Sequence, residues 1–402
     1  LTVQLIFLGS CGSVSLRDSD VATSFSASKK TMLLDRPHLE REVLQLDRVQ
    51  LVTKLAAFFR GNASRPPFPR PLILQSCPAR PFQNDRMKKI WTLTMNPALD
   101  LEAEVEWVAP DVKLRCAEPR IDAGGGGVNV ARALHRIGGK ATALFPEGAD
   151  LGPFYRSLVE AEGVDCHTFE IDQPMRRINS HFRDMRNQRQ YRFCLPGAKL
   201  EESVWRRTLE LLDGLLKEGD ILVASGSLSP GVPADFNART AKTVKGKQAC
   251  FVLDAPGEVL KALKQTAVGW ITPNQDEFED LLGHEVADGQ LEKALAAFVE
   301  DSAFENILLT LGSRGALYAG TQGFARIPAL EVEKLSSVGA GDSAVAGLVF
   351  GLAQGKNHRT SSRMAVAAGT AAVKSPGTEL LEKEDFVTLF DAMNDTQASS
   401  QQ

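Results

Sequence analysis

From residue 88 onward, short apolar runs alternate with stretches in which apolar side chains recur every three or four positions. The runs at 90–94, 141–145, 221–224, 250–253, 269–272 and 307–311 suit strands and are too short for helices. Between them, 128–137 and 151–162 carry helical periodicity, and the first of these stops at Gly138-Gly139, where left-handed backbone is cheap. Strands apolar on both faces and separated by helices predict a mostly parallel sheet covered on each side, an α/β fold in three layers.

Two segments break this rhythm. Residues 101–121 and 178–195 alternate polar and apolar positions, as in Glu104-Val105-Glu106-Trp107-Val108 and Gln190-Tyr191-Arg192-Phe193-Cys194-Leu195. Such a period predicts strands of a small, separate sheet with one apolar face, which needs a cover. The expectation is a β-sheet lid that also joins two copies into a homodimer; the alternative is an edge hairpin that extends the main sheet.

The first 86 residues read differently. They hold 7 of the 20 prolines, only three of the 33 glycines (Gly9, Gly12, Gly61), and 12 basic against 7 acidic side chains. Residues 39–59 have one helical stripe and 65–81 read as a Pro- and Arg-rich linker. The chain begins with Leu1, whereas Met87 opens a compact strand. The expectation is therefore that Met87 is the true start, with 1–86 a non-native or disordered arm that the folded domain does not need, a main domain over 87–395, and a tail over 396–402.

Charge and cysteine usage exclude several classes. With 46 basic and 50 acidic residues, the formal charge of −4 gives no basic excess for nucleic acid. No apolar run approaches bilayer length. Cys11, Cys77, Cys116, Cys166, Cys194 and Cys250 show neither zinc-ligand nor disulfide-framework spacing, and read as thiols of a cytoplasmic protein.

Val338-Gly339-Ala340-Gly341-Asp342-Ser343 leads into an apolar helix. Small residues at a helix start let N–H groups meet an anion. Asp342 there suits a base that takes a hydroxyl proton, although Asp is also a common helix cap. Gly124-Gly125-Gly126-Gly127-Val128-Asn129 opens another helix and suits a backbone lying against a ligand, with Asn129 on a sugar hydroxyl. It matches neither the P-loop nor the dinucleotide fingerprint. Asn274 and Glu277 stand three apart after a strand, where they suit a hydrated magnesium and equally a capping box. Ser225-Gly226-Ser227 and Thr310-Leu311-Gly312-Ser313-Arg314-Gly315 each follow a strand. Asp100, Lys113, Arg115 and Arg177 add one carboxylate and three cations.

Taken in order, Thr94-Met95-Asn96-Pro97-Ala98-Leu99-Asp100, the glycine run with Asn129-Val130-Ala131-Arg132, Tyr191-Arg192-Phe193, Ser225-Gly226-Ser227, Pro273-Asn274-Gln275 and Val338-Gly339-Ala340-Gly341-Asp342 resemble a PfkB-type carbohydrate kinase. The resemblance covers 87–395, is nearest the family's minor 6-phosphofructokinases, and implies a ribokinase-like fold.

It implies Asp342 as base, with Gly339, Ala340 and Gly341 as the anion hole. Asp100, Lys113, Arg115, Gly125, Gly126, Asn129, Arg177 and Ser227 would hold the sugar phosphate. Asn274 and Glu277 would serve Mg2+ with ATP, and Thr310, Gly312 and Gly315 would lie along the nucleotide. A K+ near Ser375 and Gly377 also belongs to the family pattern. The implied reaction moves the γ-phosphoryl of ATP to the 1-hydroxyl of fructose 6-phosphate, since relatives acting on fructose 1-phosphate or tagatose 6-phosphate commonly carry lysine where Gly126 stands. Those two activities, and a non-catalytic sugar-phosphate sensor, are the alternatives. Thr272 replaces a family lysine and Ser336-Ser337 replace Asp-Thr.

Overall fold

The computed structural model describes residues 88–399 apart from 288 and 378, together with four short strands near the start of the chain. The chain divides into two units, Leu1–Gln83 and Asn84–Gln402. In the first, β1 (Val3–Ile6), β2 (Gly12–Leu16), β3 (Thr23–Ala27) and β4 (Lys30–Leu34) pair antiparallel in sequence order. The helix expected over 39–59 and the linker expected over 65–81 lie outside the described residues.

The second unit is built on a nine-stranded sheet. Its strands are β5 (Ile90–Leu93), β8 (Thr142–Gly148), β9 (Asp165–Ile171), β12 (Ile221–Ser225), β13 (Cys250–Asp254), β14 (Trp270–Ile271), β15 (Asn306–Thr310), β16 (Ala316–Gly320) and β17 (Gly323–Ile327). They lie in the order β17-β16-β15-β14-β13-β12-β5-β8-β9, parallel except at the β16 and β17 edge. Successive side chains enter two different cores. Ile221 and Val223 of β12, Val252 of β13 and Leu308 of β15 join one core, while Leu222, Ala224, Phe251, Leu253, Ile307 and Leu309 join the other. This alternation is why each strand reads as an unbroken apolar run.

One layer packs α1 (Gly126–Arg136), α2 (Gly152–Ala161), α8 (Ala340–Ala353), α9 (His358–Ala372) and α10 (Lys383–Ser399) against the first core. The other holds α3 (Glu202–Leu215), α4 (Phe236–Gly246), α5 (Gly257–Ala262), α6 (Gln275–Leu282) and α7 (Leu291–Glu300). The three-layer α/β expectation holds, with one correction. The strand at 306–310 is followed by a short turn and the return strand β16, rather than by a helix. Gly315 closes that turn at φ 85°, and a Cβ there would meet the Ile327 carbonyl oxygen at 2.0 Å.

A second sheet has the order β11-β10-β6-β7, from β6 (Ala98–Val105), β7 (Arg120–Gly124), β10 (Ile178–Asp184) and β11 (Gln190–Cys194). Residues 106–119, expected to continue the alternating strand, instead form an irregular connection between β6 and β7. Pro110, Asp111 at φ 60° and Pro119 interrupt it. The small sheet exposes Phe193 (55%), Leu195 (51%), Met185 and Ile121 in and around its strands. Among the described residues, no helix is long and apolar enough to cross a membrane.

Candidate active site

The carboxyl ends of the parallel strands gather the polar residues that the apolar runs exclude. Ser225 ends β12, Asp254 ends β13, Asn274 follows β14 and Thr310 ends β15. In open α/β sheets this edge is where ligands bind. One end of the small sheet also leads here: β6 starts just after Asn96-Pro97, and its partner β7 ends on Gly124, the first residue of the glycine run.

Asp342 sits in the first turn of α8, just after Gly339, whose φ of 74° turns the chain into the helix. Asn129, in the first turn of α1, donates from Nδ2 to Asp342 Oδ2 at 3.0 Å. The Ser225 hydroxyl lies 3.3 Å from Asp342 Oδ1 and 2.8 Å from Asp254 Oδ2, and Thr272 donates to Asp254 Oδ1 at 3.2 Å. A hydroxyl has one proton to give. Ser225 therefore satisfies both carboxyls as separate bonds only when one of them is protonated. The electrostatics agree: burial, then the charge of Asp254, push the Asp342 carboxyl up to about 7, against the bonds from Asn129 and Ser225. Burial raises Asp254 as well. A carboxyl balanced near neutral pH beside the open N–H groups of a helix start can accept a proton while an anion is held next to it.

The glycine run has a reason that the sequence reading did not give it. A Cβ at Gly124 would lie 2.0 Å from the Asp100 carboxylate, at Gly126 2.1 Å from Ser225 Oγ, and at Gly127 2.5 Å from the Leu93 carbonyl oxygen. Internal packing thus demands these glycines, quite apart from any ligand. Gly125 takes φ 111°, and with no side chain to cap α1, the Val128 N–H is accepted by Thr94 Oγ1 of the neighbouring segment at 2.8 Å.

Asp100 is brought to the same edge, where Asn179 donates to its Oδ1 at 2.8 Å and burial raises its carboxyl. Ser227 is exposed and accepts from Asn96 Nδ2 at 3.1 Å. Arg177 donates to the Asn96 carbonyl oxygen, which ties the start of β10 to the segment before β6. Lys113 and Arg115 lie on the exposed 106–119 connection, away from the hydrogen bonds described around Asp342. The structure supplies Asp254 and Asn179, which the sequence reading did not single out. The signal for Asp254 was a lone carboxylate closing the apolar run Phe251-Val252-Leu253.

Asn274 and Glu277 form a complete capping box on α6: Glu277 N–H donates to Asn274 Oδ1 and Asn274 N–H to Glu277 Oε2, both at 2.9 Å. Burial, with the charges of Asp254, Asp276 and Asp280, raises the half-buried Glu277 carboxyl against the bond from Asn274. A carboxylate in so acidic a neighbourhood, at the open edge of the sheet, fits a divalent cation that keeps most of its water. Thr310 pairs with Asn274 across neighbouring strands, and its N–H donates to the Pro273 carbonyl oxygen at 2.9 Å. Gly312 and Gly315 bound the following turn. Ser375 is buried, and the Gly377 carbonyl oxygen accepts from Ser336 Oγ at 2.8 Å.

Comparison with known proteins gives consistent results. The family described as pfkB family carbohydrate kinase matches residues 90–384. ATP-dependent 6-phosphofructokinase isozyme 2 of Mycobacterium tuberculosis (strain ATCC 25618 / H37Rv) is 36% identical over 304 residues, covering 75% of this chain and 89% of that protein. The Escherichia coli K12 protein of the same name is 35% identical over 307 residues, covering 76% and 98%. The crystal structure of phosphofructokinase-2 from Escherichia coli in complex with potassium superposes with a TM-score of 0.73 at 33% identity, over 77% of this chain and 100% of that one.

Proposed function

This chain belongs to the pfkB family of carbohydrate kinases, with their ribokinase-like fold, and we propose from that premise that it is an ATP-dependent 6-phosphofructokinase. It transfers the γ-phosphoryl of ATP to the 1-hydroxyl of fructose 6-phosphate, as a step of glycolysis. The observation that carries this reading is Asp342, a carboxyl held near 7 between Asn129 and Ser225 at the N-terminus of α8.

Asp342 takes the proton of the 1-hydroxyl as its oxygen attacks the γ-phosphorus. The bond from that phosphorus to the bridging oxygen breaks, and ADP leaves. The N–H groups of Gly339, Ala340 and Gly341 face the migrating charge, so the protein contributes position and electrostatics. Asp100, Gly125, Gly126 and Asn129 orient the sugar hydroxyls, while Lys113, Arg115, Arg177 and Ser227 receive the 6-phosphate. Thr310, Gly312 and Gly315 border the nucleotide. Glu277 and Asn274 would hold a hydrated magnesium, which would neutralise phosphate charge, and Ser375 and Gly377 would lie beside a K+. Residues 87–395 form the kinase domain, 1–86 an extension outside it, and the exposed apolar small sheet joins two copies into a cytoplasmic homodimer.

The test is ADP release by the full chain with fructose 6-phosphate, fructose 1-phosphate and tagatose 6-phosphate. The expected outcome is a kcat/KM at least about tenfold higher for fructose 6-phosphate, because Gly126 leaves no side chain beside the sugar. Equal or better turnover of fructose 1-phosphate overturns the substrate assignment.

A further inference from the structure

Arg132 is among the largest fully buried side chains of the protein, at 2% exposure, and it lies three residues beyond Asn129 on α1. Burying a guanidinium is costly unless each partner is well placed. Its Nη1 donates to the Ala123 carbonyl oxygen at 2.8 Å and to Asn129 Oδ1 at 3.2 Å. Its Nη2 meets Glu162, the residue closing α2, at 2.5 Å, with Asp122 of β7 at 3.9 Å. One cation therefore joins the strand entering the glycine run, the helix leaving it, and a third element behind both.

The contact with Asn129 has a directional consequence. A side-chain amide has an oxygen that accepts and a nitrogen that donates, and the two ends exchange by a half-turn. A guanidinium donates only, so the Asn129 oxygen must face Arg132. The amide nitrogen is then left facing Asp342, where it donates at 3.0 Å. Turned the other way, the amide would present an oxygen to the carboxylate and an N–H to the guanidinium, and both contacts would repel.

We propose that Arg132 is a positioning residue for catalysis, locking the Asn129 amide in the one orientation that donates to Asp342. The proposal rests on the reading of Asp342 as the base. Arg132 touches neither substrate; it acts by denying Asn129 its other rotamer and so holding Asp342 toward the acceptor hydroxyl.

A double-mutant cycle tests this in the full chain, with Arg132→Gln, Arg132→Lys, Asn129→Ala and the Arg132→Gln/Asn129→Ala pair. Two readouts are followed: turnover of fructose 6-phosphate, and titration of the Asp342 carboxyl by carbon NMR. Arg132→Gln is expected to lower kcat roughly 100-fold, since small misplacements near the reacting atoms cost about that much, with KM for ATP within about threefold. It should also raise the Asp342 midpoint, because a donor to the ionised form is lost. In the Asn129→Ala background the same change should cost less than about threefold in kcat and leave the midpoint in place. Arg132→Lys keeps a donor-only group and should recover at least about tenfold of the loss, which also carries the test if the glutamine variant does not fold. Additive losses, or a lysine variant no better than glutamine, overturn the proposal. A wild-type chain that turns over none of the three sugar phosphates fails the kinase reading instead. The titration then still decides for Arg132: a midpoint that Arg132→Gln leaves unmoved overturns it, and one that moves only with Asn129 present upholds it.

Discussion

The candidate site has two halves held on opposite terms. Around Asp342, each polar group is fixed by another: Asn129 and Ser225 on its two oxygens, Ser225 and Thr272 on Asp254, and Arg132 behind Asn129. On the small sheet and its connection, Lys113 and Arg115 stand exposed on an irregular segment. The proposed function gives this difference a reason. Proton transfer tolerates little positional error, so its groups sit on strand ends and helix starts of the large sheet. Attraction of a phosphate is long-ranged and tolerates mobile cations. Substitutions in the first half should therefore reduce kcat, and in the second KM.

The largest effect should come from Asp342→Asn, which removes the base while keeping a side chain that Ser225 can still bond. A kcat loss of about 1000-fold or more is expected, with substrate affinity changed by less than about tenfold. Its stability should move the other way. The folded carboxyl is raised to about 7 from an unfolded value near 3.8. Its contribution is thus fully present below about pH 4 and is lost as pH rises through about 7. At pH 8 the asparagine variant should be the more stable of the two, and the gap should narrow as pH falls toward 4. Thermal melts across that range check the sign. In the wild type, kcat should climb through the same interval as Asp342 ionises. A D342N variant that keeps its turnover, or a wild-type kcat flat from pH 5 to 8, breaks the contrast at its strongest point.

Next in size is Gly126→Ala. The added Cβ would lie 2.1 Å from Ser225 Oγ and 2.8 Å from the Gly226 nitrogen, and backbone cannot swing aside as a flexible side chain can. Either α1 shifts, carrying Asn129 away from Asp342, or Ser225 turns and releases both carboxyls. A kcat loss of about 30- to 100-fold is expected, together with about 1–3 kcal/mol of destabilisation. Parallel measurement of kcat and melting temperature checks both. If only KM for the sugar phosphate rises, Gly126 serves the ligand alone and is not part of the interlocked half.

How much of this was legible beforehand divides along similar lines. The sheet, its two covering layers and the small sheet followed from periodicity, because burial on both faces or on one imprints itself residue by residue. Asp342, Asn129 and Asp100 stood in motifs whose spacing carried a reason. What escaped depends on contacts between distant segments. Asp254 meets Ser225 across 29 positions, and Ser225 meets Asp342 across 117, and nothing local announces either pairing. On sequence alone the glycine run suits a bound ligand, whereas Gly124 and Gly126 also face side chains that leave no room for a Cβ. Asn274 and Glu277 show the limit of motif reading: the spacing that suits a metal is also the spacing of a capping box, and the box is present.

The smallest effect, and the one that sharpens the comparison most, concerns Lys113 and Arg115. Both are exposed, and no described contact ties them to the interlocked carboxyls. Replacing either with alanine should leave melting temperature unchanged and kcat within about twofold, because no buried contact is lost. KM for fructose 6-phosphate should rise about three- to tenfold, the size of one charge-assisted phosphate contact at an accessible site. The defect should shrink as ionic strength rises toward 0.5 M, because screening weakens the wild-type attraction that the variant lacks. KM for ATP should not move, since the proposed nucleotide border lies at the ends of β14 and β15. Steady-state titrations of each substrate at two salt concentrations decide it. A fall in kcat comparable to that of Gly126→Ala would mean that the connection closes onto the reacting groups during turnover. Recognition and chemistry would then share one rigid unit.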